Sequence, residues 1–188
     1  MNIPELKTAR LLLRPIEMAD AAQLQAMFPQ WEIVKYLNGK VPWPYPADGA
    51  ETYLRMMALP AVERGDEWIW TIRRLTAPEV LIGAISLAKT ENMNRGFWIV
   101  PEWQRQGLMS EACDAVTDYW FDVLRMPVLR APKAVVNEGS RRISLRQGMR
   151  LVSTGESEYV SGILPTETWE ITAEEWQARR RTSSVKSR

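Results

Sequence analysis

The 188-residue sequence contains no histidine and a single cysteine, Cys113. A lone cysteine cannot form an intramolecular disulfide, and without histidine there is no catalytic triad in which that residue is the base. Structural zinc sites usually need several cysteine or histidine ligands, so we expect no metal centre. Sparse cysteine also suits a reducing compartment, and a cytoplasmic location is predicted.

The sequence also lacks an excess of either charge and any long apolar run. Lysine and arginine number 24 and aspartate and glutamate 23, which gives a net charge of +1 at pH 7. This balance gives no electrostatic reason to expect nucleic acid as a partner. No apolar run reaches the roughly 18 residues of a membrane-spanning helix, and the first residues lack the apolar core of a signal peptide. We therefore expect no membrane association.

The order of the predicted elements indicates one α+β (α/β) domain, assigned to residues 1–181, with a polar and disordered tail at 182–188. Pro60 is expected to kink or split a helix within residues 47–65, and Pro132 indicates a bulge or an edge strand. Helices are predicted around residues 18–28, 31–38, 47–65, 107–123, 138–148 and 173–181. Strands are predicted at "ARLLLRPIE", "EWIWTIRR", "VLIGAISLAK", "RGFWIV", "VLRAPKAVVN", "MRLVSTGES" and "TETWEIT".

The stretch "FWIVPEWQRQGLMSEACDAV", residues 97–116, joins a strand to an amphipathic helix through a turn rich in hydrogen-bond donors. Gly107 stands at the helix start, where its freedom to adopt positive φ lets a ligand approach closely. The first N–H groups of a helix lack intrahelical partners and carry the positive end of the helix dipole. The pattern predicts a phosphate-sized anion site, although an ordinary strand–turn–helix remains an alternative. Neither G-x-x-x-x-G-K-[ST] nor G-x-G-x-x-G is present, which argues against a Walker loop or a Rossmann site.

Three motifs in the expected order resemble the GNAT-type N-acetyltransferases, over residues 6–176. "QRQGLM", residues 104–109, resembles the Q/R-x-x-G-x-G/A pyrophosphate-binding turn of that superfamily. "NEGSRRISLRQGM", beginning at Asn137, and "LKTARLLLRPIEMADA" resemble signatures of the branch that includes the ribosomal-protein N-terminal (alanine/serine) acetyltransferases. The sequence departs from the pattern at Met109, where glycine or alanine is usual, and at Ser144, where the superfamily often has a tyrosine.

The resemblance implies a GNAT-like domain whose mixed central sheet is splayed at the cofactor site and flanked by helices, with acetyl-CoA as cosubstrate. In such a domain, Ile99 and Val100 would pair with the pantetheine arm like an added strand. Asn137 would hydrogen-bond the arm, cap the following helix, or do both. The pyrophosphate would lie on the turn formed by Gln104, Arg105, Gln106, Gly107, Leu108 and Met109.

The implied reaction is direct acetyl transfer to a primary amine, either a protein N-terminus or a small-molecule amine, in a ternary complex. Ser140 would donate a hydrogen bond to the departing thiolate, and a free backbone N–H near Val100 would polarise the thioester carbonyl. Since there is no histidine, the base is a carboxylate, a backbone carbonyl or a water relayed by one of these. Glu67, Glu91 and Glu158 are the candidates, and Glu67 is the working assignment.

Nine tryptophans suggest an aromatic acceptor pocket. Trp31, Trp43 and Tyr45 lie in a proline-rich segment, and Trp70 shares a strand face with Trp68. Such a pocket would suit an apolar or cationic amine, whereas simple core packing is the alternative. Two other functions stay open, namely a catalytically silent acyl-CoA-binding sensor or regulatory module and a nucleotide-binding domain. A homodimer is consistent with the family and with the aromatic content.

Overall fold

A computed structural model describes residues 3–185 of the chain. The strands are β1 (Leu6–Lys7), β2 (Leu11–Pro15), β3 (Glu67–Arg74), β4 (Ala77–Ala88), β5 (Arg95–Ile99), β6 (Val128–Ala134), β7 (Arg150–Tyr159) and β8 (Gly162–Thr172). The α-helices are α1 (Ala21–Met27), α2 (Trp31–Val34), α3 (Gly49–Tyr53), α4 (Leu59–Arg64), α5 (Leu108–Asp118), α6 (Glu138–Arg146) and α7 (Ala173–Val185). Single 3-10 turns occur at Met18–Asp20 and Pro101–Trp103, and π turns at Leu54–Ala58 and Tyr119–Val123.

The strands form two antiparallel sheets, one with the order β1-β2-β3-β4-β5 and one with the order β6-β8-β7. Alternation along β3 explains how the larger sheet is covered on both faces. Trp68, Trp70 and Ile72 point into the cluster that includes α5, whereas Ile69 points into the cluster formed with α1 and α3. Because successive side chains of a strand face opposite ways, one strand contributes to both apolar layers.

The two sheets meet at Asn94, immediately before β5. Its backbone N–H donates to the carbonyl of Arg130 at 2.8 Å, and the Arg130 N–H donates to the Asn94 side-chain oxygen at 2.7 Å. Beyond this junction β5 and β6 do not pair, and a pocket lies between their far ends. The α+β class and the expected splay are confirmed, but the expected mixed sheet is divided into two antiparallel sheets.

Neither Pro60 nor Pro132 interrupts the element in which it lies. Pro60 does not split its helix, because helical residues continue from Gly49 to Arg64. The hydrogen bonding changes to a π turn at Leu54–Ala58, just before the proline. Pro132 lies opposite Thr168 on β6, an edge strand of the smaller sheet, and the pairing shows no register shift. Of the two explanations for Pro132, the edge strand is therefore right and the bulge is wrong.

The C-terminal helix is longer than the sequence patterns suggest. α7 includes residues 182–185, so the prediction of a disordered tail is wrong for these four residues, and the Thr182 hydroxyl donates to the Ala178 carbonyl at 3.1 Å. No proline or glycine interrupts this segment, so the helix can propagate. The remaining tail residues, 186–188, lie outside the described residues. Within residues 3–185, no helix has the length and apolar character needed to cross a membrane.

Candidate active site

The outer edge of β5 presents backbone groups toward the gap between the sheets. The Val100 N–H donates to the Ile82 carbonyl at 2.9 Å, so it points into the sheet. Hydrogen-bonding direction alternates along an antiparallel strand, and hence the groups of Phe97 and Ile99 point outward instead. A free N–H is expected near Val100; it is not that of Val100 itself, and the nearest outward N–H belongs to Ile99. The outward carbonyl of Ile99 accepts a hydrogen bond from the Gln104 side chain at 3.0 Å.

The turn after β5 connects this strand to the start of α5. Gly107 is the N-cap with φ of 77°, and the first backbone bond of the helix runs from the Glu111 N–H to the Gly107 carbonyl. The N–H groups of residues 108–110 consequently have no intrahelical partner. Arg105 also has positive φ, at 60°, which is uncommon for a residue with a side chain. This arrangement is a helix N-terminus open to an anion.

A carboxylate on the far side of α5 fixes this helix start in place. Glu111 accepts hydrogen bonds from the Thr8 hydroxyl at 2.5 Å, the Arg10 N–H at 2.8 Å and the Arg10 Nε at 2.7 Å. Arg10 also donates to the Gln106 carbonyl at 3.0 Å. Burial by itself would raise the pKa of the Glu111 carboxyl, but these hydrogen bonds outweigh burial and lower it. The carboxylate therefore stays ionised and holds the turn against β2.

The opposite wall of the gap is α6 with its N-cap residue. The Asn137 side-chain oxygen accepts a hydrogen bond from the Ser140 N–H at 3.2 Å, so the N-cap role of Asn137 is confirmed. Arg142 and Arg146 lie on the same wall, paired with Glu138 at 3.0 Å and with Asp114 at 2.8 Å, respectively.

Between these walls lies a pocket of about 800 Å³. Eight of the predicted site residues line it, namely Ile99, Gln104, Arg105, Gly107, Leu108, Met109, Asn137 and Ser140. Val100 and Gln106 do not line it. The Gln106 side chain donates instead to the Glu102 carbonyl at 2.9 Å.

Several residues that line the pocket are not among the predicted site residues. Residues 32, 33 and 35–37, around the end of α2, close one side, and the strand β5 adds Phe97 and Trp98. Phe97 could have been found from strand parity, since it lies two residues before Ile99. The arginines of α6 carried a helical signal as well, because Glu138, Arg142 and Arg146 are spaced by four.

The aromatic residues predicted for the acceptor do not line this pocket. Trp31 and Trp43 are 43% and 42% exposed, and their rings contact each other at a centroid distance of 5.6 Å. The Tyr45 ring packs edge-on against Phe28 at 5.0 Å. Trp70 is fully buried, and its indole N–H donates to the Pro4 carbonyl at 2.8 Å. The assignment of Trp70 to the acceptor is wrong, because its side chain faces the α5 layer of the core.

None of the three candidate carboxylates lines the pocket. Glu67 begins β3 opposite Ala88, on the same strand face as Ile69, and burial, followed by the nearby Asp66, raises its pKa. Glu91 is exposed in the loop before β5, where its carbonyl accepts from Arg130 at 3.2 Å. Glu158 is exposed near the end of β7, and its carbonyl accepts from the Gly39 N–H at 3.0 Å.

One buried cation behind the pocket was also missed. Lys133 on β6 is 5% exposed, and its Nζ donates to the Ser144 hydroxyl at 2.7 Å and to the Ala131 carbonyl at 3.2 Å. Lys133 alternates along β6 with Leu129 and Ala131, so its side chain is expected on the same buried face of the strand. This alternation could have identified it from the sequence. Ser144 is itself fully buried, so the position where the superfamily often has a tyrosine does not reach the pocket.

Comparison with known proteins decides the family. The sequence model of the family described as "Acetyltransferase (GNAT) domain" matches residues 10–150, which is more than half of the chain. The chain belongs to the GNAT acetyltransferase family. It is thus an N-acetyltransferase by family, and the resemblance of its motifs is confirmed.

Individual relatives agree with this GNAT membership. "Uncharacterized N-acetyltransferase YoaA" of Bacillus subtilis (strain 168) is 31% identical over 155 residues, covering 78% of this chain and 83% of that protein. The ribosomal-protein-S5-alanine acetyltransferase of Vibrio fischeri has a TM-score of 0.78 at 13% identity, over 92% of this chain and 98% of the other. RimL, a ribosomal L7/L12 alpha-N-protein acetyltransferase solved in complex with coenzyme A, has a TM-score of 0.75 at 16% identity, over 90% and 98%. At such identities these two structures are similar in fold alone.

Proposed function

We propose that the protein transfers the acetyl group of acetyl-CoA to a primary amine by direct attack within a ternary complex. The observation that carries this proposal is the single pocket shared by an open strand edge, a helix N-terminus and a wall of arginines. These three features suit the three parts of an acyl-CoA, namely an amide-bearing arm, a pyrophosphate and a further phosphate. The coenzyme A bound in the structure of RimL supports the same assignment.

The residues present fit this cosubstrate. The N–H groups of residues 108–110 would hold the pyrophosphate, and no side chain of Gly107 blocks its approach. Arg105 has no hydrogen-bond or ion-pair partner among residues 3–185, so its guanidinium is available to a phosphate. The outward backbone groups of Phe97 and Ile99 would pair with the amides of the pantetheine arm, as an added strand does.

Catalysis then requires donors near the thioester and a base for the amine. Pairing with the pantetheine amides would use the outward N–H of Ile99 and the outward carbonyl of Phe97. The outward N–H of Phe97, which lies farther along β5 from the helix N-terminus, would then polarise the thioester carbonyl. The Ser140 hydroxyl lines the pocket and would donate to the departing thiolate. Glu67 lies opposite Ala88, toward the closed end of the sheets, and does not line the pocket, so it would take the amine proton through a chain of waters. Its raised pKa brings this carboxyl closer to neutral pH, which favours a general base.

The acceptor would enter beside α2, where the exposed pair Trp31 and Trp43 adjoins the pocket-lining residue Glu32. The Glu32 carboxylate accepts from the Lys35 ammonium at 2.5 Å, so an arriving cationic amine would share it with Lys35, and the aromatic faces would add cation–π attraction. The proteins S5 and L7/L12, which appear in the names of two structural neighbours, make peptides with free N-termini the first acceptors to test.

Thiol release from acetyl-CoA tests the proposal. The purified protein is assayed with short peptides, polyamines, amino acids and aminoglycosides, and acetyl-CoA binding is measured in parallel by calorimetry. Turnover with one amine class is the expected result. Tight binding without any turnover would favour the silent sensor. Absence of binding, or displacement of coenzyme A by ATP or NAD, would favour a different phosphate ligand and overturn the proposal.

A further inference from the structure

Lys133 is a buried amine without a carboxylate partner in the part of the chain that the structure describes. Its Nζ bonds are to two neutral groups, the Ser144 hydroxyl and the Ala131 carbonyl. A buried charge is costly unless an opposite charge accompanies it, so an unpaired lysine in the core calls for a specific explanation. The mechanism above makes no use of this group.

The charged and titratable groups that face Lys133 come from each element packed around it. Arg95 from β5 repels the ammonium and Glu167 from β8 favours it, whereas Cys113 from α5 would favour it only as a thiolate, which burial disfavours by raising the Cys113 pKa. The Glu167 carboxylate is occupied by Arg141 of α6, at 2.8 Å and 3.2 Å. Burial is the largest influence, and together with Arg95 it lowers the pKa of Lys133 to about 7. The amine can therefore gain or lose its proton near neutral pH.

The hydrogen bond to Ser144 links this amine to the cofactor pocket. Ser144 lies one helical turn after Ser140 on α6, and Ser140 lines the pocket together with Asn137 and Ile143. The far end of α6 is held separately, because the Gln147 side chain accepts from Arg95 at 2.7 Å. Lys133 thus provides a buried hydrogen bond that joins β6 to α6 at Ser144.

We propose that Lys133 is a positioning residue, which holds α6 against β6 through Ser144 and couples the affinity for the anionic cosubstrate to pH. The inference rests on the proposed function, because it concerns the same pocket. A protonated amine donates to Ser144 and adds positive charge behind α6, so it favours binding of the phosphates of coenzyme A. As the pH rises through neutrality, Lys133 loses its proton and the affinity falls.

The test measures the Kd of coenzyme A by calorimetry from pH 6 to pH 9, for the wild type and for Lys133→Met. The phosphates of the ligand titrate too, but they do so identically with both proteins, so the difference between the two profiles isolates Lys133. From pH 6 to pH 9 we expect the wild-type Kd to rise about threefold more than that of Lys133→Met, the ratio produced when binding raises the Lys133 pKa by about 0.5.

Two further variants and one direct measurement sharpen the result. Lys133→Arg keeps its charge throughout the range, so its profile should lack the rise, with affinity near that of the protonated wild type. Lys40→Met, a change at an exposed lysine, should leave the wild-type profile intact. The Lys133 ε-carbon resonance should titrate near neutral pH and move to a higher pKa when coenzyme A is added.

The outcomes separate this inference from the proposed function. Superimposable profiles for the wild type and Lys133→Met, or a Lys133 resonance that coenzyme A leaves unmoved, would overturn the inference while binding itself stands. Failure of coenzyme A to bind the wild type at any pH would overturn the proposed function. Since Lys133→Met removes an unpaired buried charge, we expect that variant to fold, and circular dichroism checks this.

Discussion

Gly107 is the single residue on which the geometry of the anion site depends most. At φ of 77° an alanine is strained by about 1 kcal/mol, and its methyl group would lie 3.5 Å from an Arg10 nitrogen, at the mouth of the helix N-terminus. We expect Gly107→Ala to lose about 1 kcal/mol of stability and to bind coenzyme A about tenfold more weakly, since close approach to the N–H groups is worth about 1–2 kcal/mol. Calorimetry and urea unfolding measure both effects.

Gly148 provides a matched control for that change. It has φ of 75° after α6, and an added methyl group would lie 3.5 Å from an Arg179 nitrogen, away from the pocket. Gly148→Ala should cost the same stability and leave the Kd of coenzyme A unchanged. Equal losses of affinity in the two variants would show that Gly107 acts only through the fold.

Ser140 is the residue for which a chemical role and a structural role differ most clearly. Its N–H is bonded to Asn137, but its hydroxyl has no hydrogen-bond partner within residues 3–185 and lines the pocket. We expect Ser140→Ala to lower kcat by about 10- to 100-fold, because a hydrogen bond to a charged group is worth about 1.5–3 kcal/mol, with acetyl-CoA binding nearly kept. Ser153→Ala, on the exposed strand β7, is the control. An unchanged kcat would remove Ser140 from the mechanism.

Glu67 should show opposite effects on activity and on stability. Because burial raises its folded pKa, the ionised carboxylate that a base requires destabilises the folded protein at neutral pH. Glu67→Gln should therefore lower kcat at pH 7 and raise the Tm, and the gain in Tm should shrink as the pH falls through the folded pKa. The exposed change Glu63→Gln should do neither. A lower Tm for Glu67→Gln would contradict this sign.

At the scale of elements, Asn94 fixes where the two sheets separate. Its buried side chain accepts from the Arg130 N–H at 2.7 Å and donates to the carbonyls of Ala88 at 3.2 Å and Thr90 at 2.6 Å. Asn94→Ala leaves these backbone groups unpaired, so we expect a loss of about 2–4 kcal/mol and weaker binding of coenzyme A. Asn92→Ala, in the same loop but exposed, should change stability by less than about 0.5 kcal/mol. Equally small effects in urea unfolding would show that the junction does not depend on Asn94.

The elements differ in how far their residue patterns determine them. The sequence predicts β3 at its observed bounds, Glu67–Arg74, because the segment is rich in strand-forming residues and a glycine turn precedes it. The direction of Val100 could not be predicted, since it depends on the register of β5 against β4 and a shift of one residue reverses every hydrogen-bonding group. The sequence alone does not distinguish Trp70, which is buried, from Trp31, which is 43% exposed. Their burial depends on which other elements pack against each side chain in the folded protein.

At the scale of the whole molecule, the pocket lies between two sheets that, within residues 3–185, are joined at their closed end by the two hydrogen bonds between Asn94 and Arg130. A ligand that contacts β5, α5 and α6 at once would tie the open end as well. A ligand at one hundred times its Kd stabilises the bound protein by about 2.7 kcal/mol. The local openings that expose the binding site become less frequent by the corresponding factor.

Hydrogen exchange should therefore show a graded response to coenzyme A. We expect the largest added protection in β5, the first turn of α5 and α6, and the least in β1 and α4, which lie outside the pocket. The Gly107→Ala variant at the same ligand concentration is the control, and its protection should fall in parallel with its affinity. Protection spread evenly over both sheets would mean that the two sheets open as one unit, and the closed junction at Asn94 would then suffice to hold them together.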